Sequence, residues 1–172
     1  MPTTLKICIL SDTHGVLDPR IANAVSRCDI AIHGGDIGSA NVLEQLRPRA
    51  NQVIAVLGNN DTPRKWPIQD QELLAGLPEH AELSLASGTL VVEHGHRVNP
   101  AGQRHQRLRR RHPNARAIVY GHSHRLVCDL DMPWVLNPGA AGKSRTFGGP
   151  SCLVLHAGPR RWRVEPIRFT KL

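Results

Sequence analysis

Five short runs of this 172-residue chain carry side chains that bind divalent metals. They are Asp12-Thr13-His14, Gly35-Asp36, Gly58-Asn59-Asn60-Asp61, Glu93-His94-Gly95-His96 and Gly121-His122-Ser123-His124. Carboxylate, imidazole and amide donors in one set suit borderline ions such as Mn²⁺, Fe²⁺, Ni²⁺ or Zn²⁺, with no call for thiolate. Residues one apart can converge on a centre once a strand ends and the chain turns. The glycines let the backbone approach closely or adopt positive φ. Any one run alone reads as an ordinary turn or an exposed histidine. Together, each behind an apolar strand, they read as one site.

The elements that must hold these runs are legible around them. Leu5-Lys6-Ile7-Cys8-Ile9-Leu10 is a buried strand feeding the first run. Asp18 caps and Pro19 opens a helix reaching about Arg27. Asp29 to His33 is a second strand, and Ser39 is expected to cap a helix to about Arg47 that Pro48 stops. Gln52 to Leu57 is a third strand. This alternation favours a parallel sheet with its site at the strand C-termini. Glu82 to Ala86 and Thr89 to Glu93 flank Ser87-Gly88, which reads as a hairpin turn. From Asn99-Pro100 to His112-Pro113 the chain reads as a basic helix with Leu108 its only large apolar residue. Ala117 to Tyr120 is a further strand, and Cys152–His156 and Trp162–Ile167 are antiparallel ones in the tail. No repeat, linker or low-complexity stretch divides the chain, so residues 1-172 are expected to form a single domain.

Composition narrows the function classes. The chain has 22 Lys plus Arg against 14 Asp plus Glu, a formal charge of +8. The excess is local: between Glu93 and Asp129 there is no acidic residue, and the arginines are Arg97, Arg104, Arg107, Arg109, Arg110, Arg111, Arg116 and Arg125. A field that attracts phosphate is the first reading, and a nucleic-acid surface the weaker one, because no aromatics for base stacking are interleaved there. Cys8, Cys28, Cys128 and Cys152 form no CxxC pair and read as buried, reduced thiols. No apolar run reaches the length of roughly 18 residues that marks a membrane span. The start, Met1-Pro2-Thr3-Thr4-Leu5-Lys6, lacks the pattern of a secretory leader, so a cytoplasmic protein is expected.

The ordered set Asp-x-His, Gly-Asp, Gly-Asn, His-Gly and Gly-His-x-His, closed by Asn137-Pro138-Gly139, resembles the calcineurin-like metallophosphoesterases, over about residues 5 to 142. The compact length is most similar to their small prokaryotic YfcE-type phosphodiesterase branch. The resemblance implies a four-layer αββα sandwich, two mixed sheets flanked by helices. It also implies two divalent ions, with Mn²⁺ favoured. One would be held by Asp12, His14, Asp36 and His124, and the other by Asp36, Asn59, His94 and His122. The implied activity is hydrolysis of a small phosphate ester, a diester more than a monoester, by in-line attack of a hydroxide bridging the ions. A homo-oligomer belongs to the same set of expectations, and membrane association does not.

One position departs from the larger members of the family, in which a histidine follows Gly-Asn and protonates the leaving group. Here Asn60 follows, which can bond a phosphate oxygen but cannot deliver a proton at neutral pH. His96, two residues past His94, is the available catalytic substitute, with Asn60 as a substrate-binding residue. His33 reads first as a packed strand-end histidine and second as a group orienting Asp36. His80, His105, His112 and His156 read as structural or solvated, and Arg145, in the loop after Asn137-Pro138-Gly139, reads first as exposed and second as a group that meets a substrate phosphate. Two alternatives to a phosphodiesterase stay open: a non-enzymatic scaffold like the small retromer subunit, and a nuclease holding nucleic acid on the segment 97-125.

Overall fold

The computed structural model describes residues 3–172, so Met1 and Pro2 of the N-terminal reading lie outside the described residues. Its strands are β1 (Leu5–Leu10), β2 (Ile30–His33), β3 (Gln52–Ala55), β4 (His80–Leu85), β5 (Gly88–Glu93), β6 (Ala117–Val119), β7 (Leu126–Asp129), β8 (Trp134–Pro138), β9 (Ser151–Ala157) and β10 (Trp162–Arg168). Its α-helices are α1 (Pro19–Ser26), α2 (Ala40–Glu44), α3 (Gln71–Ala75) and α4 (Arg104–Arg111). The strands form two five-stranded sheets, ordered β10-β9-β1-β2-β3 and β4-β5-β6-β8-β7.

Strand periodicity explains the layers. Successive side chains leave a strand on opposite faces, so Ile7 and Ile9 of β1 face one way and Cys8 and Leu10 the other. Ile7 and Ile9 join Ile32, Leu90, Val92, Val119, Leu136 and Leu155 in a core between the sheets. Cys8 and Leu10 pack with Ile21 and Val25 of α1, Val42 of α2 and Leu74 of α3 on the outside of the first sheet. Val91, Ile118 and Val135 meet Leu108 of α4 on the outside of the second. Three apolar seams separate four layers, the αββα sandwich.

The sheets are mixed, where the strand–helix alternation alone favoured a parallel one. β1, β2 and β3 are parallel, as are β5, β6 and β8, while β9, β10, β4 and β7 pair antiparallel at the flanks. The parallel cores suffice to bring strand C-termini to one end of the molecule.

Three local expectations are corrected. Ser39 makes no side-chain bond to α2, which ends at Glu44; the carboxylate of Asp70 instead accepts from Ala40 N at 3.0 Å. The β4–β5 register pairs Leu85 with Gly88, so the turn is Ala86-Ser87, with Ser87 at φ 64°. β3 and β6 stop at Ala55 and Val119, short of Leu57 and Tyr120. Asp18 caps α1 as expected. Its Oδ1 accepts from Arg20 N at 2.9 Å, and bonds from the Arg20 side chain hold its carboxyl below the usual range.

Candidate metal centre

The loops after β1, β2, β3, β5 and β6 are laced by their backbones before any side chain acts. Asp12 N donates to Gly35 O (2.9 Å), His14 N to Asp36 O (2.9 Å), Gly121 N to His94 O (3.1 Å) and Ala141 N to Ser11 O (2.9 Å). Asp12, His14, Asp36, His122 and His124 all sit at positive φ, between 47° and 67°. That region is uncommon for residues with a Cβ and persists only where the surroundings impose it. Glycine supplies the closest approaches: a Cβ on Gly58 would fall on the Asp36 backbone nitrogen and carboxylate, and one on Gly121 would fall on Ser11 Oγ and Asp12 Oδ2.

These loops bring all seven residues of the expected ligand set around one point. His14 Nε2 and His124 Nε2 are 3.2 Å apart, and His124 Nε2 is 3.4 Å from Asp12 Oδ1. His94 Nε2 lies 3.4 Å from Asp36 Oδ2, 3.9 Å from Asp12 Oδ1 and 3.1 Å from Asn59 Oδ1. His122 Nδ1 is 3.1 Å from the same Asn59 oxygen. Asp36 Oδ2 is also 3.8 Å from His14 Nε2, so this carboxylate lies between the two halves of the cluster. Two subsets have ligand atoms close enough to share an ion: Asp12, His14 and His124, and Asp12, Asp36 and His94. Asp12 thus also reaches towards the half in which the resemblance placed only Asp36, Asn59, His94 and His122.

The donor set fits divalent cations. Asp12 is fully buried, and its Oδ1 has no hydrogen-bond partner. A buried carboxylate oxygen left unpaired is costly unless a cation answers it. His94 Nδ1–H donates to Gly34 O at 2.7 Å and His124 Nδ1–H to Ser144 O at 3.1 Å, which turns both Nε2 atoms inward. Burial pushes the Asp12 carboxyl up to about 7, against the opposing pull of His94. Burial likewise lowers His14 and His124, and lowers His122 to about 4, keeping these rings neutral as ligands must be. His94 goes the other way, because Asp36 and Asp12 outweigh its burial. Asp36 is itself held well below the carboxylate range: burial opposes this, and the bond and charge of His94 prevail.

Other residues from the sequence take different places. His96 stands beside the centre, its ring 5.5 Å from that of His94 and 6.2 Å from that of His122, with Nδ1 buried and unpartnered. Asn60 bonds Asp36 twice, from N to Oδ1 (2.8 Å) and from Nδ2 to Oδ2 (2.7 Å), and its Oδ1 accepts from Lys65 Nζ. Glu93 turns away from the centre to Arg111 at 2.9 Å. His33 is fully buried; Gly35 N donates to its Nδ1, so Nε2–H donates to Thr13 Oγ1 at 2.9 Å, and Thr13 donates to Ile37 O. It therefore ties the first two loops together without touching the Asp36 side chain. Burial drives it down to about 3, so it is a permanently neutral strut.

Sequence reasoning missed the part played by Asp61. Its carboxylate accepts from Ile37 N (2.9 Å), Gly38 N (3.1 Å), Gly58 N (2.8 Å) and Trp66 Nε1 (2.8 Å), clamping the loops after β2 and β3. Asn137 was noted only as part of a motif. Its amide donates to Gly121 O and Ser123 Oγ and so fixes the Gly-His-x-His loop. The arginines of the segment 97-125 are largely committed within the fold. Arg97 meets Glu79, Arg104 Val98 O, Arg107 Gln103, Arg109 Asp129, Arg111 Glu93, Arg116 Ser87 O, and Arg125 the ring of Phe147.

A two-sheet sandwich that gathers carboxylate, imidazole and amide donors at its strand ends defines a metallophosphoesterase architecture. The family model of the calcineurin-like phosphoesterase superfamily domain matches residues 5–158, and the chain belongs to that superfamily. It is similar to a protein of Methanocaldococcus jannaschii described as a probable metallophosphoesterase, 29% identical over 144 residues, which cover 80% of this chain and 68% of that one. Its fold resembles that of vacuolar protein sorting 29 from Cryptosporidium parvum, with a TM-score of 0.73, 18% identity, and coverage of 98% of this chain and 100% of that one. It also resembles a novel archaeal phosphodiesterase, with a TM-score of 0.69, 23% identity, and coverage of 95% and 100%. Family membership makes the chain a metal-dependent phosphoesterase by class. Among the described residues no helix is long and apolar enough to cross a membrane.

Proposed function

We propose that this protein is a phosphodiesterase working with two divalent ions, Mn²⁺ the favoured pair. Asp12, His14, Asp36 and His124 would hold one, and Asp36, Asn59, His94 and His122 the other. The observation that carries the reading is the unpartnered, fully buried Asp12 Oδ1 facing inward-turned imidazole nitrogens. Bound there, the ions would supply Lewis-acid polarisation of phosphoryl oxygens and an acidified water. The chain's own contribution is orientation. Gly34 O and Ser144 O fix the tautomers of His94 and His124, and Asp61 and His33 hold the loops in register. Asn60, braced by Lys65, stands where its amide can turn from Asp36 to a phosphate oxygen. His96, beside His94 and His122, would meet the departing alkoxide.

The test is hydrolysis of bis-aryl and mono-aryl phosphates with and without Mn²⁺, alongside calorimetric Mn²⁺ binding. Wild type should hydrolyse the diester faster and only with metal. Asn59→Ala and Asp36→Ala should lose about a hundredfold or more in kcat/KM and bind metal more weakly. Full activity in both variants overturns the assignment. Tight metal binding without hydrolysis favours the scaffold alternative. His96→Ala should slow alkyl diesters more than aryl ones, because only a poor leaving group needs its proton; equal slowing removes that role.

A further inference from the structure

One cation beside the candidate centre comes from outside the arginine-rich segment. Arg145 Nη2 lies 3.4 Å from His124 Nε2. Unlike Arg97, Arg109 and Arg111, Arg145 pairs with no carboxylate among the described residues. His124 Nδ1–H is spent on Ser144 O, so Nε2 offers its lone pair to the guanidinium. If that lone pair serves a metal, as the proposed function has it, Arg145 loses its acceptor and stands as a bare cation beside a cationic centre. An anionic ligand on the centre would answer both charges at once.

The same loop carries a second feature. Phe147 is 44% exposed, while Trp66, Trp162 and Tyr120 are buried, and it is the only largely exposed aromatic side chain among the described residues. Its ring is not loose, because the Arg125 guanidinium stacks on it at 4.3 Å to the centroid, and Arg125 directly follows His124. Arg145 and Phe147 both sit at positive φ, 48° and 42°. A bulky residue is rarely found in that region, and strain of this kind persists where surrounding contacts impose it. Ser144 O anchors the loop to His124 from beneath. Two residues of chain span at most about 7 Å, so the side chains of Arg145 and Phe147 leave the same short stretch of loop, one beside His124 and the other beside Arg125.

The geometry points to Arg145 as a phosphate-binding residue and to the Phe147–Arg125 stack as a platform for an aromatic ester arm, so that the ligand class is an aromatic phosphate ester, aryl or nucleobase-bearing. This rests on the phosphoesterase reading above and names its substrate. A guanidinium–phosphate fork is a charge-assisted bond, and stacking on an aromatic face tolerates any base or aryl ring. The arginine backing the ring fixes its orientation before the ligand arrives.

The test uses equilibrium binding to the Mn²⁺-loaded full chain by calorimetry, with inorganic phosphate, ribose 5-phosphate, AMP and phenyl phosphate as probes. Wild type should bind AMP and phenyl phosphate more tightly than ribose 5-phosphate. Arg145→Ala should weaken all four by about tenfold or more, and Arg145→Lys should recover part of the loss. Phe147→Ala should leave inorganic phosphate and ribose 5-phosphate unchanged and weaken the two aromatic ligands by about fivefold to tenfold. Both side chains are exposed, so melting temperatures should hold. Arg145→Ala binding phosphate as wild type does, or wild type binding AMP no better than ribose 5-phosphate, overturns the inference. If AMP gains and phenyl phosphate does not, the platform is a nucleobase site; the reverse marks an aryl site. Failure of the underlying reading looks different: wild type would show no metal-dependent hydrolysis while the ligand series held.

Discussion

At the scale of the residue, type and spacing marked five donor-bearing loops in the sequence, and the family resemblance narrowed them to a candidate ligand set. Asp12, His14, Asp36, Asn59, His94, His122 and His124 carry donors that few other tasks require together at strand ends. The residue that holds them in register could not be read that way. Asp61 satisfies backbone N–H groups of Ile37, Gly38 and Gly58 and the indole of Trp66, and nothing in Gly-Asn-Asn-Asp names those partners. Its buried carboxylate is worth more than an ordinary polar contact, since hydrogen bonds to a charged group contribute about 1.5–3 kcal/mol and an orphaned donor costs its full desolvation. Asp61→Asn keeps the shape but sets an NH₂ against N–H donors. It should lower unfolding free energy by about 2–4 kcal/mol in urea titrations and weaken Mn²⁺ binding with it. An unchanged midpoint would mean that the loops after β2 and β3 hold each other without the carboxylate.

At the scale of the element, the sequence was most reliable where one physical rule decided the outcome. Asp18-Pro19 supplied both an N-cap oxygen and a pre-set φ, and α1 begins there. It was least reliable where the deciding group came from elsewhere in the chain. Ser39 looks like the cap of α2, yet its side chain makes no such bond, and Asp70, far along the sequence, accepts from Ala40 N. Local pattern carries no trace of that exchange. The stability consequence separates the two residues: Ser39→Ala should be within about 0.5 kcal/mol of wild type, and Asp70→Ala should cost about 1 kcal/mol. Denaturant unfolding of the two variants decides it, and the opposite ranking would return the cap to Ser39. The hairpin follows the same logic. Ser87-Gly88 contained a turn signal, but β4–β5 pairing placed the turn one residue earlier, at Ala86-Ser87, because register is set by which face of β4 is turned inward, the face of Ala81, Leu83 and Leu85.

At the scale of the whole molecule, charge and layer architecture meet in α4. The basic excess was read first as a field for phosphate; its placement gives it a structural use. Leu108 is the one fully buried large apolar residue of α4, so the helix brings little hydrophobic surface to the second sheet. Polar clasps make up for that shortage. Arg109 bonds Asp129 at 2.7 Å and Pro133 O at 2.9 Å, His105 Nδ1–H donates to Asp129 at 2.8 Å, and His105 Nε2 accepts from Tyr120, which precedes the Gly-His-x-His loop. Burial opposes the charge on Asp129, but the bonds from Arg109 and His105 prevail and bring its carboxyl from 3.8 down to about 2. A carboxyl whose folded value lies below its unfolded one binds fewer protons when folded, so its contribution is complete above the unfolded value and fades as pH falls through the folded one. Wild type should therefore exceed Asp129→Asn in unfolding free energy by a constant margin above about pH 5. That margin should shrink between pH 4 and pH 2, the window set by the 3.8 and about 2 values. Urea titrations at closely spaced pH check it. A margin that stayed constant down to pH 2 would show that Asp129 holds α4 by shape and hydrogen bonding, with its charge contributing nothing.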